Sequence, residues 1–112
     1  MARFIRADVV VVPFPFSDLT RAKRRPALVL AELEGDDIIL CQITSQTVKD
    51  KYSILLEDKD FIAGSLKKIS NIRPNRIFTA DERIVLYKVG QIKKEKMNEV
   101  VGKVIEILKG EE

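Results

Sequence analysis

Asp8-Val9-Val10-Val11-Val12-Pro13-Phe14 sets four valines in succession, and the reading of the chain starts from this stretch. Beta-branched side chains favour extended backbone. A short unbroken apolar run predicts a buried strand over Asp8–Phe14. Pro13 and Pro15 lack amide protons, so regular pairing should stop there or run along an edge. Residues 17–25 are polar and basic, a long hairpin loop by composition. A second apolar strand is expected over 26–32, a turn at Gly35-Asp36-Asp37, and a third strand over 38–43 that ends at Thr44-Ser45-Gln46-Thr47. A second polar loop runs through Lys51, and a fourth strand follows over 52–56. Residues 58–64 read as a turn with a short helical piece. Residues 65–72 alternate as a strand, Arg73-Pro74-Asn75 interrupts it, and 76–79 is short and extended. A last strand is expected over 84–89, closed by Gly90.

The C-terminal end changes period. Met97, Val100, Val101, Val104, Ile105 and Leu108 recur at the three-and-four spacing of one helix face. Lys93, Lys94, Glu95, Lys96, Glu99, Lys103, Glu106 and Lys109 occupy the other positions. No Ser, Thr, Asp or Asn immediately precedes this helix, so its start should be poorly capped. Short strands followed by one amphipathic helix describe an α+β, mainly β domain. The simplest architecture is a strongly bent small sheet or barrel of antiparallel strands with the C-terminal helix laid against it. At 112 residues with 46% hydrophobic content, one domain spanning 1–112 is expected.

Composition removes several chemistries. Histidine is absent, which removes the usual general base, the usual zinc ligand and the Ser-His-Asp triad. One cysteine, Cys41, allows no intrachain disulfide, and no Cys/His zinc pattern is present. No metal or cofactor is expected. The first residues lack the apolar core of a signal peptide, and no apolar run approaches membrane-spanning length. The expected location is cytoplasmic, with no membrane partner. The net charge is +3 and falls in two clusters, Arg21-Lys23-Arg24-Arg25 and Lys67-Lys68-Arg73-Arg76. Either cluster alone is ordinarily a solvated surface. Convergence of the two in space would instead mark a face for a polyanion.

Both long loops follow strongly apolar strands, and loops on a rigid scaffold are where sites usually sit. Taken alone, Arg25-Pro26 more often means a strand entry with a surface arginine. Thr44-Ser45-Gln46 more often means a strand end whose hydroxyls satisfy backbone groups. The functional alternative is that a guanidinium and a hydroxyl together hold a phosphodiester and stabilise charge in its transition state. RNA carries its own nucleophile, the 2′-hydroxyl, so such a site needs neither metal nor serine. Asp8 should pair with backbone or a cation, Asp18 is a turn residue, and Cys41 is core. Phe14 reads as core, whereas Phe16, nearer the loop, is as suited to stacking on a base.

The segments Asp8-Val9-Val10-Val11-Val12-Pro13-Phe14-Pro15-Phe16-Ser17-Asp18-Leu19 and Lys23-Arg24-Arg25-Pro26-Ala27-Leu28-Val29-Leu30 resemble the opening of the MazF/PemK toxin family. Ile43-Thr44-Ser45-Gln46, Ile72-Arg73-Pro74 and the closing helix fit the same pattern, so the resemblance covers nearly the whole chain. It implies an SH3-like barrel that forms a homodimer, with single-stranded RNA in a groove across the dimer. It also implies a cognate antitoxin whose flexible segment occupies that groove. Position by position, Arg25 and Thr44 match the catalytic arginine and threonine. Ser45 and Gln46 would contact RNA beside the cut, and Lys23 and Arg24 would reach the backbone from a mobile loop. Phe16, Ser17, Ser70 and Arg73 complete the expected RNA contacts. An arginine is a very poor base, so the resemblance leaves the proton acceptor open.

The sequence departs from the family pattern at Ala7, where a glycine usually precedes the aspartate. It has Lys23-Arg24 where many members carry an acidic residue before the arginine, and Ser70 where several are acidic. The implied activity is that of a metal-independent, sequence-selective endoribonuclease leaving a cyclic phosphate and a 5′-hydroxyl. The alternatives are a non-catalytic toxin or binding module on the same fold that acts on a protein target such as a topoisomerase, and a degenerate member that keeps only partner binding.

Overall fold

The computed structural model describes residues 3–14 and 23–110. Seven strands and one helix follow in chain order: β1 Asp8–Phe14, β2 Lys23–Glu32, β3 Asp37–Thr44, β4 Ile54–Leu56, β5 Phe61–Gly64, β6 Ser70–Asp81, β7 Tyr87–Ile92 and α1 Lys94–Lys109. The strands form one antiparallel sheet in the order β4-β6-β3-β2-β1-β7-β5. Register shifts between Val9 and Val10, Val29 and Ala31, Cys41 and Gln42, and Phe61 and Ala63 bend the strands. Such bulges increase local twist, and the sheet curls into a half-barrel with the helix against it. The expected bent small barrel with a terminal helix is therefore the fold observed.

The curl explains the valine run. Val9 faces a core shared with Leu28, Ile43, Ile72, Met97 and Val100, which includes the buried face of α1. Val10 and Val12 face a second core with Ala27, Val29 and Leu40, against which Phe4, Phe78 and Ile84 pack. A strand covered on both faces reads as continuous apolar sequence. Pro13 lies beyond Val11↔Tyr87, the last β1–β7 pair, so its missing N–H faces no second partner. Asp8 is buried and pairs with backbone and a cation, as expected. It accepts from Ile5 N–H at 2.9 Å and Gln91 Nε2 at 3.1 Å, and Lys88 Nζ lies 3.0 Å away. Cys41 is fully buried, and that burial pushes its thiol up to about 12, so it is an inert core residue.

Several element boundaries differ from the sequence expectation, each for a tertiary or side-chain reason. β2 starts at Lys23 rather than Pro26, because Lys23 and Arg24 pair with Phe14 and Pro13. Lys23 and Arg24 therefore belong to a strand and not to a mobile loop. β4 starts at Ile54 rather than Tyr52, because Asp50 Oδ1 takes the N–H groups of Tyr52 and Ser53 in a turn. Residues 58–64 divide into a 3-10 turn over Asp58–Asp60 and the strand β5. Residues 65–69 are not a strand: Lys67 has φ +61°, and extension resumes only at Ser70. Pro74 does not end β6; Cys41 pairs with Ile77 and Gln42 with Arg73, so 74–76 bulge out of a continuous ladder. The last strand is shifted to Tyr87–Ile92, preceded by a 3-10 turn over Glu82–Ile84. Gly90 lies inside it opposite Gly64, where an added Cβ would sit 2.4 Å from Ala63 O.

The helix start has no side-chain cap, as expected. Tertiary contacts replace it: Lys93 N–H donates to Asp60 O at 2.8 Å, and Lys96 Nζ donates to Leu55 O at 3.1 Å. Gly110 ends the helix with φ +72°. No described helix is long and apolar enough to cross a membrane.

Two backbone positions generate opposite predictions. Ala7 holds φ +79°, a left-handed conformation that costs a residue with a Cβ about 1–2 kcal/mol. Glycine removes that strain at an entropic cost of roughly 0.5–1 kcal/mol. Ala7→Gly should therefore raise unfolding free energy by about 0.5 kcal/mol in urea titration. Gly64→Ala should lower it by at least about 2 kcal/mol, because its Cβ would lie 2.0 Å from Val89 O at φ +73°.

Candidate active site

β2 and β3 pair with Ala27 opposite Gln42. Continuing that register by two residues sets Arg25 opposite Thr44, at the open end of the ladder. Both residues line the same two hollows. One, of about 370 Å³, is completed by Lys23, Gln42, Gln46, Arg73 and the rings of Phe14 and Phe78. The other, of about 460 Å³, is completed by Arg24, Ser45, Lys67, Lys68, Ser70 and Tyr87. Arg25, Pro26, Ile43 and Thr44 belong to both, so the arginine and threonine form the saddle of one continuous cleft.

The two basic clusters do converge. Lys23, Arg24 and Arg25 come from β2, while Lys67, Lys68 and Arg73 come from the segment that enters β6. Arg76 lies on the exposed bulge and lines neither hollow, and Arg21 falls outside the described residues. Lys23, Arg24, Arg25, Lys67 and Lys68 have no carboxylate within ion-pair distance among the described residues. Neither hollow has an aspartate or glutamate among its described lining residues. Unneutralised cations in a concave site focus a positive potential outward.

The Thr44-Ser45-Gln46 segment is fixed from several sides. Thr44 Oγ1 accepts from Gln46 N–H at 3.1 Å, the backbone-satisfying role that hydroxyls take at a strand end. That bond occupies a lone pair and leaves the hydroxyl proton to donate. Asn71 Nδ2 donates to Gln46 O at 3.1 Å. Arg73 Nη2 reaches Asp50 Oδ2 at 3.2 Å, which closes the loop that follows Gln46 onto β6. Arg73 is thus half-buried in an ion pair at the edge of the cleft, with its Nε buried and unpaired. Ser70 is buried, and its Oγ donates to Lys68 O at 3.2 Å. Ser45 and Gln46 are exposed on the cleft rim, whereas Phe16 and Ser17 lie outside the described residues.

Sequence reasoning did not single out Gln42, Phe78, Asp50 or Tyr87. Gln42 carries a faint signal, a polar residue between Cys41 and Ile43 in an apolar strand. The other three reach the cleft or its edge only through strand pairing and turn geometry. Burial, the largest single influence on Asp50, works to raise its pKa. Hydrogen bonds from the N–H groups of Tyr52 and Ser53 and from Arg73 outweigh it, and the carboxyl titrates below its ordinary range.

Comparison with known proteins follows the same outline. Residues 5–108 match the family described as PemK-like, MazF-like toxin of type II toxin-antitoxin system. No curated protein matches the chain in sequence. Among solved structures, the chain is similar to an endoribonuclease from a mycobacterial species, at 14% identity and a TM-score of 0.73, covering 96% of this chain and 93% of that one. It is similar to a mycobacterial endoribonuclease in complex with its cognate antitoxin, at 12% identity and a TM-score of 0.74, covering 94% of each. It is also similar to the MazE-MazF crystal structure (Form-III) from Deinococcus radiodurans, at 19% identity and a TM-score of 0.76, covering 94% of this chain and 95% of that one. At these identities the likeness is one of fold.

The Asp50–Arg73 pair predicts an acid-sensitive brace. A carboxyl whose folded value lies below its unfolded value contributes stability above about pH 4 and loses it as pH falls through the folded value. At neutral pH, Asp50→Asn should therefore unfold more easily, by up to about 1 kcal/mol for this partly solvated pair. The gap between the two proteins in urea titrations should close below about pH 4. A gap that persists unchanged into strong acid would assign the loss to something other than the carboxylate charge.

Proposed function

Because this chain belongs to the PemK-like, MazF-like toxin family of type II toxin-antitoxin systems, we propose that it is an endoribonuclease that cuts single-stranded RNA through the substrate's own 2′-hydroxyl. The observation that carries this reading is the shared cleft of Arg25 and Thr44, where Lys23, Arg24, Arg25, Lys67 and Lys68 have no carboxylate within ion-pair distance among the described residues. The names of the structural neighbours, endoribonucleases among them, agree with it.

The planar donors of Arg25 match two oxygens of a phosphodiester. Thr44 donates its hydroxyl proton to the same group. As the 2′-oxygen bonds to phosphorus, the bond to the 5′-oxygen breaks, and negative charge grows on the phosphoryl oxygens. Donors carried on paired strands, Arg25 opposite Val12 and Thr44 opposite Asn71, stabilise that charge with little reorganisation. The 2′-hydroxyl gives up its proton as it attacks and the departing 5′-oxygen takes one up, so the products are a cyclic phosphate and a free 5′-hydroxyl. Since the RNA brings the nucleophile, the chain's contribution is to position the phosphate and stabilise its charge. Reaction without a bound metal follows from the same division of labour. Phe14, Phe78, Gln42 and Gln46 gather on one side of the saddle. Ring faces with amide groups suit one base, which supports sequence selectivity.

The expected partners are RNA, a cognate antitoxin and a second copy of the chain acting as a homodimer. A cleft whose cations are mostly without a carboxylate partner among the described residues suits an acidic, flexible antitoxin segment that competes with RNA.

In chelator, the purified protein should cut a long single-stranded RNA, while Arg25→Ala and Thr44→Ala should each lose about 10²–10³-fold in cleavage rate with folding intact. Equal rates in all three proteins would remove this site from the reaction. Light scattering should return about twice the 12.7 kDa chain mass; a strict monomer at micromolar concentration would rule out a shared groove.

A further inference from the structure

We propose that Lys67 and Lys68 form a second phosphate-binding element in the same cleft, which holds the RNA backbone beside the bond that Arg25 and Thr44 address. The inference rests on the endoribonuclease reading and goes further by assigning a flanking subsite. Both lysines are exposed and line the hollow that Arg24, Arg25 and Thr44 also line. Glu57 and Asp58 line a separate hollow that these lysines border from the other side. Neither carboxylate comes within ion-pair distance of them. The lysine charges therefore remain available to an anion in the cleft.

The turn that carries them is built rather than loose. Lys67 adopts φ +61°, a left-handed conformation that glycine or asparagine ordinarily fills. Its N–H donates to Ser65 Oγ at 2.8 Å, and Ser65 Oγ donates in turn to Asp58 Oδ1. At the other end Ser70 Oγ donates to Lys68 O. A strained residue persists only where its surroundings hold it, and such residues cluster at ligand sites. Here the strain fixes the backbone from which both lysine stems leave at the cleft wall. Lysine acts as a compact point charge without the planar fork of arginine. The pair should therefore hold phosphate irrespective of base, leaving sequence choice to the other side of the saddle.

Removal of phosphate-neutralising cations flattens the dependence of binding on salt, by about 0.7 in log–log slope per contact on a single strand. The test measures binding of a 2′-deoxy, non-cleavable oligonucleotide by fluorescence anisotropy between about 50 and about 200 mM salt. Cleavage of the matching RNA is followed alongside. The parent is compared with Lys67→Gln/Lys68→Gln, with Lys67→Gly and with Lys109→Gln on the exposed helix end. The double variant should lose about 1.4 in slope and Lys67→Gly about 0.7, with the cleavage sequence unchanged. Lys67→Gly should at the same time be no less stable than the parent, because glycine relieves the strained turn, so its weaker binding cannot come from unfolding. Lys109→Gln should match the parent.

A parent that cuts RNA while the double variant keeps its full slope overturns this assignment and leaves the endoribonuclease reading standing. A double variant with altered cleavage sequence also overturns it, since the lysines would then read bases. A parent that neither cuts nor binds RNA overturns both.

Discussion

The antiparallel ladder between β2 and β3 brings a cation and an alcohol from separate parts of the chain together, since Arg25 and Thr44 each lie two residues beyond its last pair, Ala27↔Gln42. Strand separation in a sheet is set by backbone hydrogen bonding at about 4.8 Å. Arg25 and Thr44 thus inherit their relation from main-chain geometry, with no dedicated side-chain contact between them. The ladder is anchored in turn by Leu28, Val29, Leu40 and Cys41, all fully buried. The cleft sits where the ladder leaves this core. Two core faces behind it exclude water, and the curl of the sheet makes the end of the ladder concave.

Charge is distributed to match. The chain's buried or half-buried carboxylates are occupied in structural work. Asp8 holds the start of β1, Asp50 braces the loop after Gln46, and Asp60 accepts from Glu57 N–H at 2.8 Å with Lys96 Nζ 3.8 Å away. The half-buried Asp81 is taken by Arg83, which holds its carboxyl down at about 2. Of the cleft cations, Arg73 is held by Asp50, while Lys23, Arg24, Arg25, Lys67 and Lys68 have no such assignment among the described residues. Leaving several like charges together is mildly unfavourable to the fold, and an anionic ligand relieves it. An RNA strand and an acidic antitoxin segment would answer the same electrostatic demand, and this gives competition between them a physical basis.

Much of this was legible in the residues themselves. Four valines in a row specified a strand covered on both faces, and a three-and-four spacing specified the terminal helix. Both follow from local periodicity, because the side-chain directions of a strand or helix are fixed by its backbone. Arg25-Pro26 and Thr44-Ser45-Gln46 stood out as polar segments after apolar strands. The left-handed φ at Ala7 was foreshadowed by its place where a glycine is usual, since only a residue without a Cβ enters that region freely.

What the chain's local pattern left open was settled by contacts between distant segments. The start of β2 was fixed by its pairing with Phe14 and Pro13, that of β4 by the carboxylate of Asp50, and the continuity of β6 by β3 pairing on both sides of the Pro74 bulge. Whether two basic clusters more than forty residues apart in sequence meet on one face is likewise a property of sheet order. Local sequence decides which way a side chain points from its own strand. Only the tertiary fold decides which strands become neighbours, and it is that choice which turned two unremarkable polar loops into one cationic cleft.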